Sequence, residues 1–230
     1  EGYETTFLIG GIGSVNVVDL GTIALVKKIP PVYPRKVKGL VINAIDNSLL
    51  DGVEITIFHS TFDITSDMLV TDKNIKDLLI EKEKVQATTE EITTDGNGSF
   101  EIELNPGPYT ILYTKGGFYF NLHAFVLDEP VDTTNPEDYD LPSIPLTPEV
   151  EEGKIRIVLS WPDGPADLDI HSLFKVTKIR KCHVYFGNKD CTGLNLDVDN
   201  TKGGKNGVET ITINSLGNYI YSFYVHKYVD

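Results

Sequence analysis

The 230 residues predict an all-β protein of two β-sandwich domains in tandem, with an N-terminal strand segment and a short helical insertion in the first domain. Three observations carry the prediction. Apolar and polar residues alternate in short runs, the period that gives a strand one buried and one exposed face. Glycine, proline, aspartate and threonine break these runs at close intervals, as turns between strands do. Tyr and Phe, 11 and 10 of them with one Trp, make up the aromatics, and these residues favour strands. This length holds one large all-β domain or two of about 100 residues each.

Residues 1–34 read as two strands, 3–9 and 15–26, around a Gly10-Gly11-Ile12-Gly13 turn, then a proline-rich joint. No helix and no Lys-Ser/Thr follow those glycines, so they read as a turn rather than a phosphate loop. An isolated hairpin is only marginally stable. The segment is therefore expected to be an assembly strand for a neighbouring copy or the end of a preceding module. A weak echo between residues 2–30 and 117–148 favours the second.

The first domain is placed at 35–127. Residues 37–44 and 53–59 alternate as strands. Asp95-Gly96-Asn97-Gly98 is a hairpin turn into Phe100, Ile102 and Leu104, with Glu101 and Glu103 opposite. Asn105-Pro106-Gly107-Pro108 turns the chain into 109–113. Between these halves lies an insertion, 61–91, where Ile75, Leu78 and Leu79 fall at helical spacing. Residues 128–150, rich in Pro, Asp and Thr, read as a linker with Leu141, Ile144 and Leu146 as anchors. The second domain occupies 151–230.

That second domain concentrates the chemistry. Alternation puts Asp167, Asp169 and His171 on one face of a strand, with Leu168 and Ile170 on the other. Asp197 and Asp199 repeat the pattern, and Gly203 to Gly207 form a loop beside them. Four carboxylates on adjacent loop edges suit calcium, which takes six to eight oxygens at about 2.3–2.6 Å. The competing reading has them cap turns and pair with Arg156 or Lys205. His171, His183 and His226 with Asp169 would suit zinc. Trp161, His171 and His183 are candidates for a ligand face, with the indole stacking on a sugar as one use.

Cys182 and Cys191, the only cysteines, favour a local disulfide and an oxidising, extracellular or cell-surface setting. Asn97-Gly98-Ser99 is a glycosylation sequon, although Asn-Gly is common in turns on geometry alone. No nucleophile elbow and no HExxH motif occurs, so no catalytic residue is expected. The formal charge of -14, from 34 acids and 20 bases, would repel a nucleic-acid backbone. No apolar run approaches the roughly 18 residues of a membrane-spanning helix. The chain opens at Glu1 with no signal-like stretch, which fits a mature product or the ordered part of something longer.

Lys38-Gly39-Leu40-Val41, Leu50-Asp51-Gly52-Val53 through Ile57, Thr94 through Phe100 and Pro106-Gly107-Pro108-Tyr109 resemble the prealbumin-like modules seen as carboxypeptidase regulatory-like or Cna-B-type repeats. The resemblance covers about 35–117 and implies a sandwich with no active site of its own. Ile155 through Trp161, Asp167 through His171, His183 through Asn188, Leu196 through Asn200, Glu209 through Ile213 and Tyr224-Val225-His226 look like the YfaP-type family of surface proteins. Together these imply a non-enzymatic extracellular structural or adhesive module, as a filament subunit or part of a larger surface protein. Its partners would be other copies or neighbouring modules, met through the N-terminal strands. The alternative is a carbohydrate-binding or calcium-stabilised ligand module.

Overall fold

The computed structural model describes residues 32–61, 76–77, 79, 92–161, 164–175, 181–202 and 207–229. The expected strands at 3–9 and 15–26 lie outside the described residues, as do residues 203–206. Every element among the described residues is a strand, β1 to β15 in chain order.

The all-β class therefore holds, but the helical insertion does not. Within 61–91 only Thr61, Lys76, Asp77 and Leu79 are described; the last three have helical backbone but form no element. Three apolar residues at helical spacing supply too little: nucleating a first turn is costly, and short helices lean on packing to persist.

The first core is enclosed by two four-stranded sheets. In one, β1 (Arg35–Asn43) pairs antiparallel with β4 (Ser99–Leu104), parallel with β7 (Tyr139–Asp140) and, further along, parallel with β8 (Ile144–Leu146). In the other the order is β3 (Ile92–Thr93), β2 (Glu54–Phe58), β5 (Gly107–Thr114) and β6 (Asn121–Leu127). Val37, Ile55, Ile57, Phe100, Ile111 and Tyr113 meet between them. Leu141, Ile144 and Leu146 are buried in the same core, so part of 128–150 is built into this sheet. Buried Arg35 fastens the crossover: its guanidinium donates to the carbonyls of Glu137, Asp128 and Asp138 and lies 5.4 Å from the Tyr139 ring centre. Asp95 Oδ1 accepts from Asn97 and Ser99 N–H at the hairpin. Gly98 is needed there, because its φ is 68° and a Cβ would sit 2.7 Å from the Val41 carbonyl oxygen.

The second core lies between a three-stranded sheet and a four-stranded one. The first runs β11 (Lys181–Val184), β10 (Asp167–Lys175), β15 (Tyr221–Val229); the second runs β12 (Asp190–Cys191), β13 (Leu194–Val198), β14 (Gly207–Ile213), β9 (Ile155–Trp161). Ile170 and Phe174 face Leu194, Leu196, Ile211 and Ile213. β14 is buried along its whole length because both its faces are covered. Glu209, Ile211 and Ile213 point into the second core, whereas Val208, on the opposite row, packs with Ile42 and Ala44 of the first sandwich. Arg156 Nη1 donates to the Pro148 carbonyl across the same junction, at 3.1 Å.

Candidate functional site

Asp167, Asp169, Asp199 and Glu209 converge at one end of the second sandwich. β11 pairs with β10 only from Ser172 onward, so the Asp167–Ile170 end of β10 extends past it. Glu209 reaches across from β14 and fills part of that gap. Its Oε2 accepts the Ile170 N–H at 2.6 Å, and its Oε1 accepts the Asn200 N–H at 3.2 Å. Carboxylate oxygens of Asp167, Asp169 and Glu209 lie within 4.8 Å of one another, and all three side chains are buried.

A bulge separates Asp197 from Asp199. Leu196 stands opposite Ile211, but Val198 stands opposite Thr210, so two residues of β13 face one of β14. The extra residue reverses the alternation. Asp197 keeps the outward row of Asn195, where its Oδ2 accepts from Thr212 Oγ1 at 2.5 Å and lies 3.8 Å from Arg156 Nε. The bulge moves Asp199 to the core-facing row, where its charge acts on Asp167, Asp169 and Glu209, while its Oδ2 keeps an ion pair with Lys189 Nζ at 2.6 Å. The structure thus brings together three of the four aspartates read from the sequence and adds Glu209. The signal for Glu209 was present in the sequence: an acid occupies the core-facing row that continues as Ile211 and Ile213.

The electrostatics are those of crowded, poorly solvated anions. Burial pushes the Glu209 carboxyl up to about 7, against the pull of its two backbone N–H donors. Asp167 is raised by burial and by the charges of Asp169 and Asp199. Asp169 is raised by burial first; His226, whose Nδ1 lies 3.6 Å from Asp169 Oδ2, partly opposes this. Asp167 Oδ1, Asp169 Oδ2 and Asp199 Oδ1 are shielded from solvent and have no hydrogen-bond partner. Buried polar atoms are nearly always satisfied, so the unbonded oxygens of Asp167 and Asp199, beside an Asp169 oxygen held only by distant His226, call for a missing partner. These buried Asp and His side chains can coordinate a metal ion.

On the outer face of the same sheet Asp169 also meets the histidines. Asp169 stands directly opposite His226, and His171 opposite Tyr224. His171 Nδ1 and the Tyr224 hydroxyl each lie 2.9 Å from His183 Nε2. The His171 ring stacks on Tyr185 and Tyr224. Burial, then the neighbouring His183 and His226, lower the His171 pKa and keep it neutral. Its Nε2 has no partner, and it forms a second possible ligand group with Asp169 and His226.

The remaining residues lie elsewhere. Trp161 is buried over Gly207, with its Nε1–H donated to the Pro165 carbonyl at 3.0 Å. His171 is buried beneath the aromatic rings, and His183 is half-buried beside it. Asn97 is exposed at the hairpin tip. Cys182 and Cys191 form a disulfide that ties β11 to β12, and so one sheet to the other. A cleft of about 180 Å³ between the sandwiches, lined by Tyr119, Phe120, Asn121, Pro145, Thr147, Val158 and Ser160, holds no acid, histidine or lysine. It is smaller than typical ligand pockets. Among the described residues no helix is long and apolar enough to cross a membrane.

No family model and no curated protein matches the chain. Among solved structures it aligns with the Bacillus anthracis TIE protein at 14% identity and a TM-score of 0.34, over 85% of this chain and 29% of that one. A streptococcal ancillary pilin aligns at 12% identity and 0.33, over 90% and 56%. The full-length major pilin SpaD from Corynebacterium diphtheriae aligns at 12% and 0.34, over 84% and 56%. The chain spans little more than half, or less, of these three proteins. A likeness this loose adds nothing to what the strands themselves establish.

Proposed function

We propose that the chain is a non-enzymatic extracellular structural or adhesive module, a filament subunit or part of a larger surface protein, that joins its neighbours by strand addition. The prealbumin-like reading of 35–127 and the YfaP-type reading of 151–230, joined through 128–150, belong to this proposal. The observation that carries it is an uncovered flank of the second sandwich. β11 lies over β12 and β13, and β10 over β14, so β15 stands over β9. Both are edge strands among the described residues. Their core-facing rows are left open: Ile155 is 41% exposed, Phe223 38% and Val225 51%. A nine-residue edge strand with exposed Phe223 and Val225 is usually blunted or covered, and an added strand covers it with main-chain hydrogen bonds. The occupant is the segment 15–26 of a neighbouring copy. Head-to-tail addition that does not close yields a filament.

The test is deletion of residues 1–29. Light scattering and electron microscopy should then find folded protein that no longer polymerises; assembly unchanged by the deletion would sink the proposal.

The second reading, a carbohydrate-binding or calcium-stabilised module, is favoured by the unpartnered carboxylates at Asp167, Asp169 and Asp199. Calcium is the ion it names. Glycan binding by the full chain, present with calcium and lost on chelation, would support it; binding indifferent to chelation would remove calcium from it.

A further inference from the structure

We infer that Asp167, Asp169, Asp199 and Glu209 form one binding site for a hard divalent cation, made wholly of oxygen ligands. This deepens the calcium reading by naming its ligands, and it does not depend on strand assembly.

Three features point the same way. The ligand atoms of Asp167, Asp169 and Glu209 already lie within 4.8 Å of one another, a spacing one ion can bridge. Asp167 and Asp169 are more than nine-tenths buried; Asp167 Oδ1 has no hydrogen-bond partner, and Asp169 Oδ2 has only His226 Nδ1 near it, at 3.6 Å. Among the described residues counter-charge is short. Lys189 pairs with Asp199 and His226 approaches Asp169, but among the described residues no ion pair reaches Asp167 or Glu209. Buried like charges are tolerated when a cation sits among them.

Glu209 has the role of a prepositioned ligand. Its two backbone donors hold the carboxylate in place, and each oxygen keeps a lone pair for the ion. Asp169 is shared with the nitrogen set of His171 and His226, so one ion excludes the other. The oxygen set is favoured because its carboxylates are buried and short of positive charge. The His226 side chain, by contrast, is 57% exposed. Hard oxygen donors select calcium-, magnesium- or manganese-type ions over zinc.

The experiment strips the full chain with a chelator, then titrates Ca²⁺, Mg²⁺, Mn²⁺ and Zn²⁺ separately by calorimetry, with thermal unfolding in parallel. One hard ion per chain should bind and raise Tm. Glu209→Gln and Asp167→Asn should each weaken binding at least tenfold, whereas Asp197→Asn should leave it unchanged. Asp167→Asn should also raise the Tm of the stripped protein by relieving repulsion, an effect that a folding defect cannot mimic. Failure of every hard ion to bind would overturn both this site and the calcium reading. Calcium binding lost with Asp197→Asn but kept with Glu209→Gln would overturn the ligand set alone. Zinc binding lost with His171→Gln, without competition from calcium, would assign the cluster to the nitrogen set instead.

Discussion

Glu209 shows how a single side chain carries opposed demands. It satisfies two backbone N–H groups at the end of β10, yet it does so as a buried acid beside Asp167, Asp169 and Asp199. With its carboxyl raised to about 7 from an ordinary 4.5, the folded state holds a proton that the unfolded chain releases earlier. The stabilisation is therefore complete below pH 4.5 and is lost as pH rises toward 7. Chelated protein should lose on the order of 3 kcal/mol across that window from this group, as read by denaturant unfolding. Saturating divalent ion should flatten or reverse the slope; a chelated protein that grows more stable from pH 5 to 7 would contradict the electrostatics. The sequence placed Asp169 and His171 on one face through simple alternation. It also placed Asp197 beside Asp199, because a bulge depends on what the partner strand does at Thr210 and Ile211 and leaves no local signature in β13.

At the scale of elements, two cross-links hold the second sandwich in register. The Cys182–Cys191 disulfide joins β11 to β12 at one edge. Replacing both cysteines with serine should cost roughly 2–3 kcal/mol from the short loop released, measured by denaturant unfolding with and without reductant. A double variant as stable as the parent in oxidising buffer would show the bond contributes nothing. β15 occupies the opposite edge; its aromatic alternation reads as a strand over 217–228, one suited to the centre of a sheet or to a partner. Its edge position was not legible, because sheet order is set by long-range pairing. For the same reason β7 and β8, two and three residues long around Pro142, read as linker while serving as parallel partners of β1. Placing charge on the uncovered row with Phe223→Lys and Val225→Lys should cost the isolated subunit no more than about 1 kcal/mol, since both are already well exposed. The same pair should abolish polymerisation, as scored by sedimentation of filaments. Filaments that persist in the double variant would remove the β9 and β15 flank as acceptor.

For the molecule as a whole, the two sandwiches are joined by more than a tether. Val208 packs on Ile42 and Ala44, and Arg156 donates to the Pro148 carbonyl. This junction leaves β14 no solvent-facing side and should make the sandwiches unfold together. Val208→Asp should cost roughly 2–4 kcal/mol by burying an unpaired charge. Calorimetry should show one thermal transition for the parent and two for the variant; two transitions in the parent would refute the coupling. A junction held this way transmits position from one sandwich to the other, as the proposed filament subunit would require. The class of the two sandwiches was readable from alternation and turns, but this junction was not. Val208 looks like an ordinary outward position until Ile42 and Ala44 of the first sandwich cover it.

The measurement that tests the central claim most directly is hydrogen exchange on protein lacking residues 1–29, with and without a synthetic peptide of those residues. Strand addition predicts that the peptide slows exchange in residues 155–161 and 221–229 together and leaves β2 and β5 unchanged. Peptide that binds without protecting either edge, or protection confined to the first sandwich, would contradict it.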